Sequence, residues 1–282
     1  MVAASVAGDP GRLNQDRAGH TGSMAWVIDG ASNLDSTTVT PNGDDAAWIA
    51  GQLHEFLANA APEVALDNLL EQAATALQQQ YQIYCRKAAV TPALPPSAGL
   101  VVVRWQESLI EYLLLGDCSL TLVDIQTRHH EVIQETKLRR LDDSAIDELS
   151  KFRRSGLSYA EAKERLMPTL QKHRRMMNTE EGYWVFGLDP TAVSHAITGH
   201  LKLDTDTALI LASDGFSRLW DTFGAVDAGW GVYHSLATDG ASTLLKKLRE
   251  LENQDRGADR WPRFKKSDDA SVALVSFHRG GV

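Results

Sequence analysis

Three apolar runs in this chain end on, or are entered from, an aspartate in a tight turn, and that pattern constrains the fold more than anything else in the sequence. They are M-A-W-V-I-D-G at 24–30, A-L-I-L-A-S-D-G at 208–215 and S-D-D-A-S-V-A-L-V at 267–275. A further acidic site, N-Q-D at 14–16, precedes the first run. Taken singly, Asp-Gly is the ordinary chemistry of a turn. Taken together, short Asp side chains at the ends of neighbouring strands are held by rigid backbone and can converge on one point. Hard oxygen ligands of this kind suit Mg²⁺ or Mn²⁺ rather than zinc. A pair of such ions roughly 3.5–4 Å apart could share a water, lower its pKa and aim the hydroxide at phosphorus. The residues alone therefore point to a metal-assisted hydrolase, with phosphoryl chemistry favoured.

Composition narrows the partners. With 28 Lys and Arg against 37 Asp and Glu, the net charge of -9 argues against nucleic acid as the main ligand. No run approaches the roughly 18 apolar residues of a membrane span, and the N-terminus lacks the basic start and long apolar core of a signal peptide. The only two cysteines, Cys85 and Cys118, are not spaced as a thiolate zinc site or a disulfide framework. These features predict a cytoplasmic chain with no membrane and no nucleic-acid partner.

The periodicity predicts helices from 44 or 45 onward, over about 64–87 and over 241–253. The stretches L-V-V-V-R-W, L-I-E-Y-L-L-L-G-D and S-L-T-L-V-D-I-Q predict adjacent antiparallel strands of a meander. Residues 136–177 read as a basic helical insert, either a solvated face or a lid that touches substrate. The absence of repeats and linkers predicts a single domain over 1–282. His129 and His130 fall in a predicted strand-connecting turn. Cys118 reads as a small buried residue rather than a nucleophile, and Ser213 lacks the G-x-S-x-G elbow of a serine hydrolase.

In order along the chain, G-x-x-G-R-L-N-Q-D, V-I-D-G-A-S, L-L-L-G-D-C-S, L-I-L-A-S-D-G-F and S-D-D-A-S-V-A-L-V resemble the motif series of the metal-dependent protein phosphatases, the PPM or type 2C family. The resemblance runs from about Gly8 to Phe277. It implies an α+β fold, a four-layer α-β-β-α sandwich of two antiparallel sheets flanked by helices, with metals in a cleft at one end. It also implies hydrolysis of phosphoserine or phosphothreonine in proteins by a water activated on two Mg²⁺ or Mn²⁺ ions, with a third accessory ion in some bacterial members. The implied partner is a phosphorylated protein, the target of a cognate Ser/Thr kinase in signalling. Alternatives on the same fold are a small-molecule phosphomonoesterase and a catalytically weak regulator that binds phosphoproteins.

By motif position, Asp29 resembles the carboxylate that bridges the two metals, and Gly30 the residue that lends its carbonyl to one of them. Asp214 and Asp268 resemble the remaining ligands of the second metal, with Asp269 standing where the family often has Asn. Asp16 resembles the residue that holds metal-bound waters, and Asp117 the ligand of the accessory ion. Arg12 stands where the family places the Arg that grips the substrate phosphate, one residue closer to Asp16 than usual. Gln15 replaces the commoner Glu. Ala31 replaces the His of the eukaryotic pattern, and the adjacent Ser32 is a poor acid.

Overall fold

A computed structural model describes residues 1–31, 34, 37–61, 63–203 and 205–278; Ser32 lies outside them. The chain runs through β1 (Val2–Val6), β2 (Asp16–His20), β3 (Met24–Ala31), α1 (Asp45–Ala58), α2 (Leu66–Ala88), β4 (Ser97–Gln106), β5 (Leu109–Leu115), β6 (Ser119–Asp124) and β7 (His130–Gln134). It continues through α3 (Thr136–Arg154), α4 (Tyr159–Arg175), a 3-10 turn (Pro190–His195), β8 (Ile197–Lys202), β9 (Thr207–Ala212), α5 (Asp214–Asp221), α6 (Trp230–Thr238), α7 (Ala241–Gln254) and β10 (Ala270–Phe277). Two five-stranded sheets result, ordered β1-β10-β9-β6-β7 and β2-β3-β4-β5-β8, with antiparallel pairing throughout.

The central strands are apolar without alternation because both of their faces are covered. Ala25 and Val27 of β3, Val101 and Val103 of β4, and Leu209 and Leu211 of β9 fill the space between the sheets. Their neighbours point outward. Trp26, Ile28, Leu100 and Val102 pack under Ile49, Leu53, Leu57 and Leu70 of α1 and α2. On the other side Ile210, Ala212, Val272 and Leu274 pack under Phe216, Leu219, Leu244 and Leu248 of α5 and α7. Period-two geometry sends successive side chains to opposite faces, so two helix layers and two sheets bury most of their positions. The α-β-β-α sandwich implied by the motifs is the fold observed.

The expected meander is corrected at its third strand. β4 and β5 pair directly, but β6 joins the other sheet, between β9 and β7. The chain crosses at 116–118, where Gly116 takes φ +76°, a conformation in which a Cβ is costly. His130 likewise begins β7 rather than sitting in a turn. Residues 136–177 are largely α3 and α4, an antiparallel pair with its own small core of Ala145, Leu149, Ala162 and Leu166. A capping box between Ser158 and Glu161 starts α4.

The start of α1 is pinned twice. Asp44 caps it by accepting from the Ala47 N–H. Asp45, 3% exposed, accepts from the Val39 and Thr40 N–H groups at 3.1 and 3.0 Å, the Thr40 hydroxyl at 2.7 Å and the Tyr81 hydroxyl of α2 at 2.8 Å. Asp45→Ala leaves these buried donors without their acceptor and is expected to cost about 2–3 kcal/mol, read from chemical unfolding. A variant as stable as the parent would show that water replaces the carboxylate.

Candidate metal centre

Strand pairing alone brings the first two carboxylates together, because Asp16 of β2 stands opposite Asp29 of β3. Like charges so placed repel. On the other side of Asp29 the partner is Gly99 of β4, and a Cβ at Gly99 would collide with the Asp117 carboxylate. The missing side chain is what lets Asp117, in the crossing between the sheets, approach Asp29. Asp214 opens α5 two residues past the end of β9, and Asp268 lies two residues before the start of β10, the two strands being paired through Val272 and Ala212. The sequence-derived residues Asp16, Asp29, Asp117, Asp214 and Asp268 thus meet at one end of the sandwich.

The surrounding contacts hold them there. Ser213 and Ser271 exchange backbone and hydroxyl hydrogen bonds of 2.9–3.0 Å across β9 and β10. The Asp269 carboxylate accepts from the Gly8 N–H at 2.7 Å and the Gln15 N–H at 2.6 Å, tying the loop before β2 to β10. Gln15 is buried, and its amide donates to both Asp44 oxygens at 3.0 and 2.9 Å. A Glu in its place would set a second negative charge against Asp44, which accounts for the amide. Gly30 donates its N–H to the Gln15 carbonyl at 3.0 Å.

Electrostatically the cluster is under strain. Burial, offset in part by a hydrogen bond from Ser213 and reinforced by Asp268 and Asp214, pushes Asp16 up to about 8. Burial and then Asp16, Asp214 and Asp117 raise Asp29 well above the carboxylate range. Burial and Asp214 raise Asp117 to about 7. Cys118, fully buried, is pushed up first by burial and then by the same carboxylates, so it is no thiolate nucleophile.

Sequence reasoning missed several groups that complete the site. Asp142 of α3 reaches it from the helical pair; burial and then Asp117 and Asp214 raise it to about 8. Arg174 of α4 donates to the Ala31 carbonyl at 3.2 Å and to the Ser97 hydroxyl at 2.9 Å. Neither carries a sequence signal, since only the docking of α3 and α4 brings them near. Arg218 and Lys265 did carry one, as cations at short helical and turn spacing from Asp214 and Asp268. Arg218 donates to Asp268 Oδ2 at 2.7 Å and Lys265 to Oδ1 at 2.6 Å. Burial drives Asp268 upward, but these two cations outweigh it and hold it below the usual range.

Arg12 is exposed on the loop before β2. Lys163 of α4 is held below its ordinary value by burial and then by Lys265 and Arg12, against the opposing pull of Asp268, so the three cations lie near one another. A cavity of about 150 Å³ lies between α3, α5 and the 262–264 segment, with Asp117, Asp142, Asp214 and Arg139 among its walls. Roomier depressions of about 430 and 490 Å³ lie at the far end of the β2-β8 sheet and along α2, and gather no comparable set of carboxylates.

Among the described residues no three His, Cys, Asp or Glu side chains enclose an ion unaided. The donor set nevertheless fits a hydrated hard cation, which keeps several waters and needs only one or two carboxylates. Asp16 Oδ2 and Asp29 Oδ2 are buried with no hydrogen-bond partner, an arrangement that is costly unless a cation satisfies it. The Asp268 oxygens are different, both being taken by Arg218 and Lys265.

No family model and no curated protein matches the sequence. Solved structures do share its fold. PppA, a key regulatory component of T6SS in Pseudomonas aeruginosa, aligns over 98% of this chain and 96% of its own at 14% identity and TM-score 0.55. The Mycobacterium tuberculosis serine/threonine phosphatase PstP/Ppp covers 98% and 97% at 12% identity and TM-score 0.55. The catalytic domain of the serine threonine protein phosphatase PstP in complex with 2 manganese ions covers 98% and 96% at 15% identity and TM-score 0.53. The architecture is therefore that of the metal-dependent protein phosphatases.

Raised carboxylate pKa values fix the sign of a pH dependence. Groups ordinarily near 3.8 that hold their protons to about 7 or 8 when folded contribute stability below pH 4. That contribution is lost as pH rises through 7 and 8. Asp268 acts oppositely, but only below its ordinary range. Chelated protein should therefore unfold at a lower temperature at pH 8 than at pH 5.5, with Mn²⁺ restoring most at pH 8. A midpoint that climbs between those values would contradict the clustering.

Proposed function

We propose that this chain is a divalent-cation-dependent phosphatase acting on phosphoserine or phosphothreonine in proteins. The observation that carries the reading is the convergence of Asp16, Asp29, Asp117 and Asp214 with two buried, unpartnered carboxylate oxygens. Asp29, with the Gly30 carbonyl beside it and Asp16, Asp117 and Asp214 around it, would hold Mg²⁺ or Mn²⁺. When bound, such an ion supplies the Lewis acidity needed to polarise a phosphoryl group and to make water nucleophilic at neutral pH. The solved structure of PstP with manganese supports a divalent ion of this type.

The chain's own residues do the rest. Asp29 and Asp16 fix the position of positive charge at the bottom of the site because β2 and β3 are rigid. Arg12, exposed on the loop before β2, and Lys163 near it would attract the dianionic phosphate of a substrate. Asp142, protonated near neutrality, is an acid held beside Asp117 and Asp214, and it can give a proton to a leaving oxygen that Ala31 cannot serve. Helix α3 lines the cavity beside Asp117 and Asp214 through Arg139, Asp142 and Ile146. The setting we assign is cytoplasmic signalling, in keeping with two free cysteines and, among the described residues, no helix long and apolar enough to cross a membrane.

The pairing of Asp268 with two cations favours a second reading, a slow or silent member of the fold that binds a phosphorylated partner. One assay separates the two. Hydrolysis of a phosphothreonine peptide with Mn²⁺ should be abolished by chelation, and Asp29→Asn should lower it at least about 100-fold, beyond what a mere supporting residue costs. Tight peptide binding without turnover at saturating Mn²⁺ would replace the enzyme with the regulator. Turnover that survives complete removal of metal would end both.

A further inference from the structure

Asp268 stands apart from Asp16 and Asp29 in that its charge is already balanced. Oδ2 receives Arg218 at 2.7 Å; Oδ1 receives Lys265 at 2.6 Å and the Asp269 N–H at 3.1 Å. Both oxygens therefore carry a charge-assisted donor.

The two cations are held differently. Arg218 is 8% exposed and its guanidinium also faces Glu252 at 3.4 Å, itself 2% exposed. Glu252 is in turn gripped by Arg249 at 2.5 Å, whose other nitrogen donates to the Asp268 carbonyl at 2.6 Å. Arg218 is thus a fixed part of the core network. The Lys265 side chain is 44% exposed and reaches Asp268 from the loop between α7 and β10. A compact ammonium on a flexible stem can leave.

We infer that Lys265 is a tethered counter-ion that stands on Asp268 in place of a divalent cation, so that ions load on the Asp16–Asp29 side while Asp268 takes none. This rests on the metal reading proposed above. An ammonium at contact distance both fills a coordination position and repels an arriving dication. Lys163, which lies near both Lys265 and Arg12, adds positive charge on the same side, whereas the two carboxylate oxygens left without a donor, Asp16 Oδ2 and Asp29 Oδ2, belong to the paired strands β2 and β3. The chain has therefore built one positive charge of its centre into its sequence.

Counting Mn²⁺ tests this directly. Wild-type protein, Lys265→Met, Lys265→Gln and Lys265→Arg are titrated with MnCl2, bound ion is determined by calorimetry and by the electron paramagnetic resonance of free Mn²⁺, and folding is checked by thermal unfolding. The Met and Gln variants should each bind about one more Mn²⁺ per chain than wild type and gain more thermal stability from added Mn²⁺. Lys265→Arg should match wild type, and Asp268→Asn added to Lys265→Met should remove the extra ion. Equal stoichiometry and affinity in wild type and both neutral variants would overturn the counter-ion while leaving the metal reading intact. Absence of Mn²⁺ binding from every protein would overturn both.

Discussion

Repulsion among buried carboxylates is the constraint on which this structure turns. Asp16, Asp29, Asp117, Asp214 and Asp268 are drawn to one end of the sandwich, Asp16 and Asp268 buried and the other three half-buried, and they raise one another's energy. A low-dielectric site amplifies such interactions and leaves three outlets: a proton, an external cation or an internal one. The chain uses more than one. Burial and mutual repulsion push Asp16, Asp29 and Asp117 toward keeping a proton, while Arg218 and Lys265 neutralise Asp268.

The fold makes that crowding unavoidable. Strands β3, β4, β9 and β10 are apolar on both faces, and slipping any of them by one residue would exchange the inter-sheet core for the helix-facing one. Register is thereby fixed, and with it the pairing of Asp16 with Asp29 and the approach of Asp117 over Gly99. Packing of Leu, Ile and Val across several layers holds the acidic end in place, and the hydrogen bonds of Ser213, Ser271 and Asp269 trim its geometry.

The helical pair α3 and α4 adds what the sandwich lacks. It carries its own small core, so its inner face is free to be polar. The pair brings Asp142 near Asp117 and Asp214, Arg174 onto the Ala31 carbonyl at the end of β3, and Lys163 near Lys265 and Arg12. The segment is thus a wall of the site as well as a solvated basic surface.

Much of this was legible in the residues. V-I-D-G, A-S-D-G and S-D-D-A-S-V place Asp29, Asp214 and Asp268 at strand ends because apolar runs, turn residues and acidic punctuation are local signals, and their motif order implied the sandwich. The helices at 45–58, 66–88 and 241–254 follow from their spacing. What the sequence could not determine is non-local. That β6 leaves β5 for the other sheet depends on a crossing at Gly116, and that Asp142 and Arg174 reach the site depends on how two helices dock. That Asp268 is met by Arg218 at 2.7 Å joins residues 50 apart in the chain, whereas Lys265, at 2.6 Å, is only three residues away. Sequence set which carboxylates would gather; tertiary structure decided which cations answer them, because charge pairing is settled by position in space rather than by order along the chain.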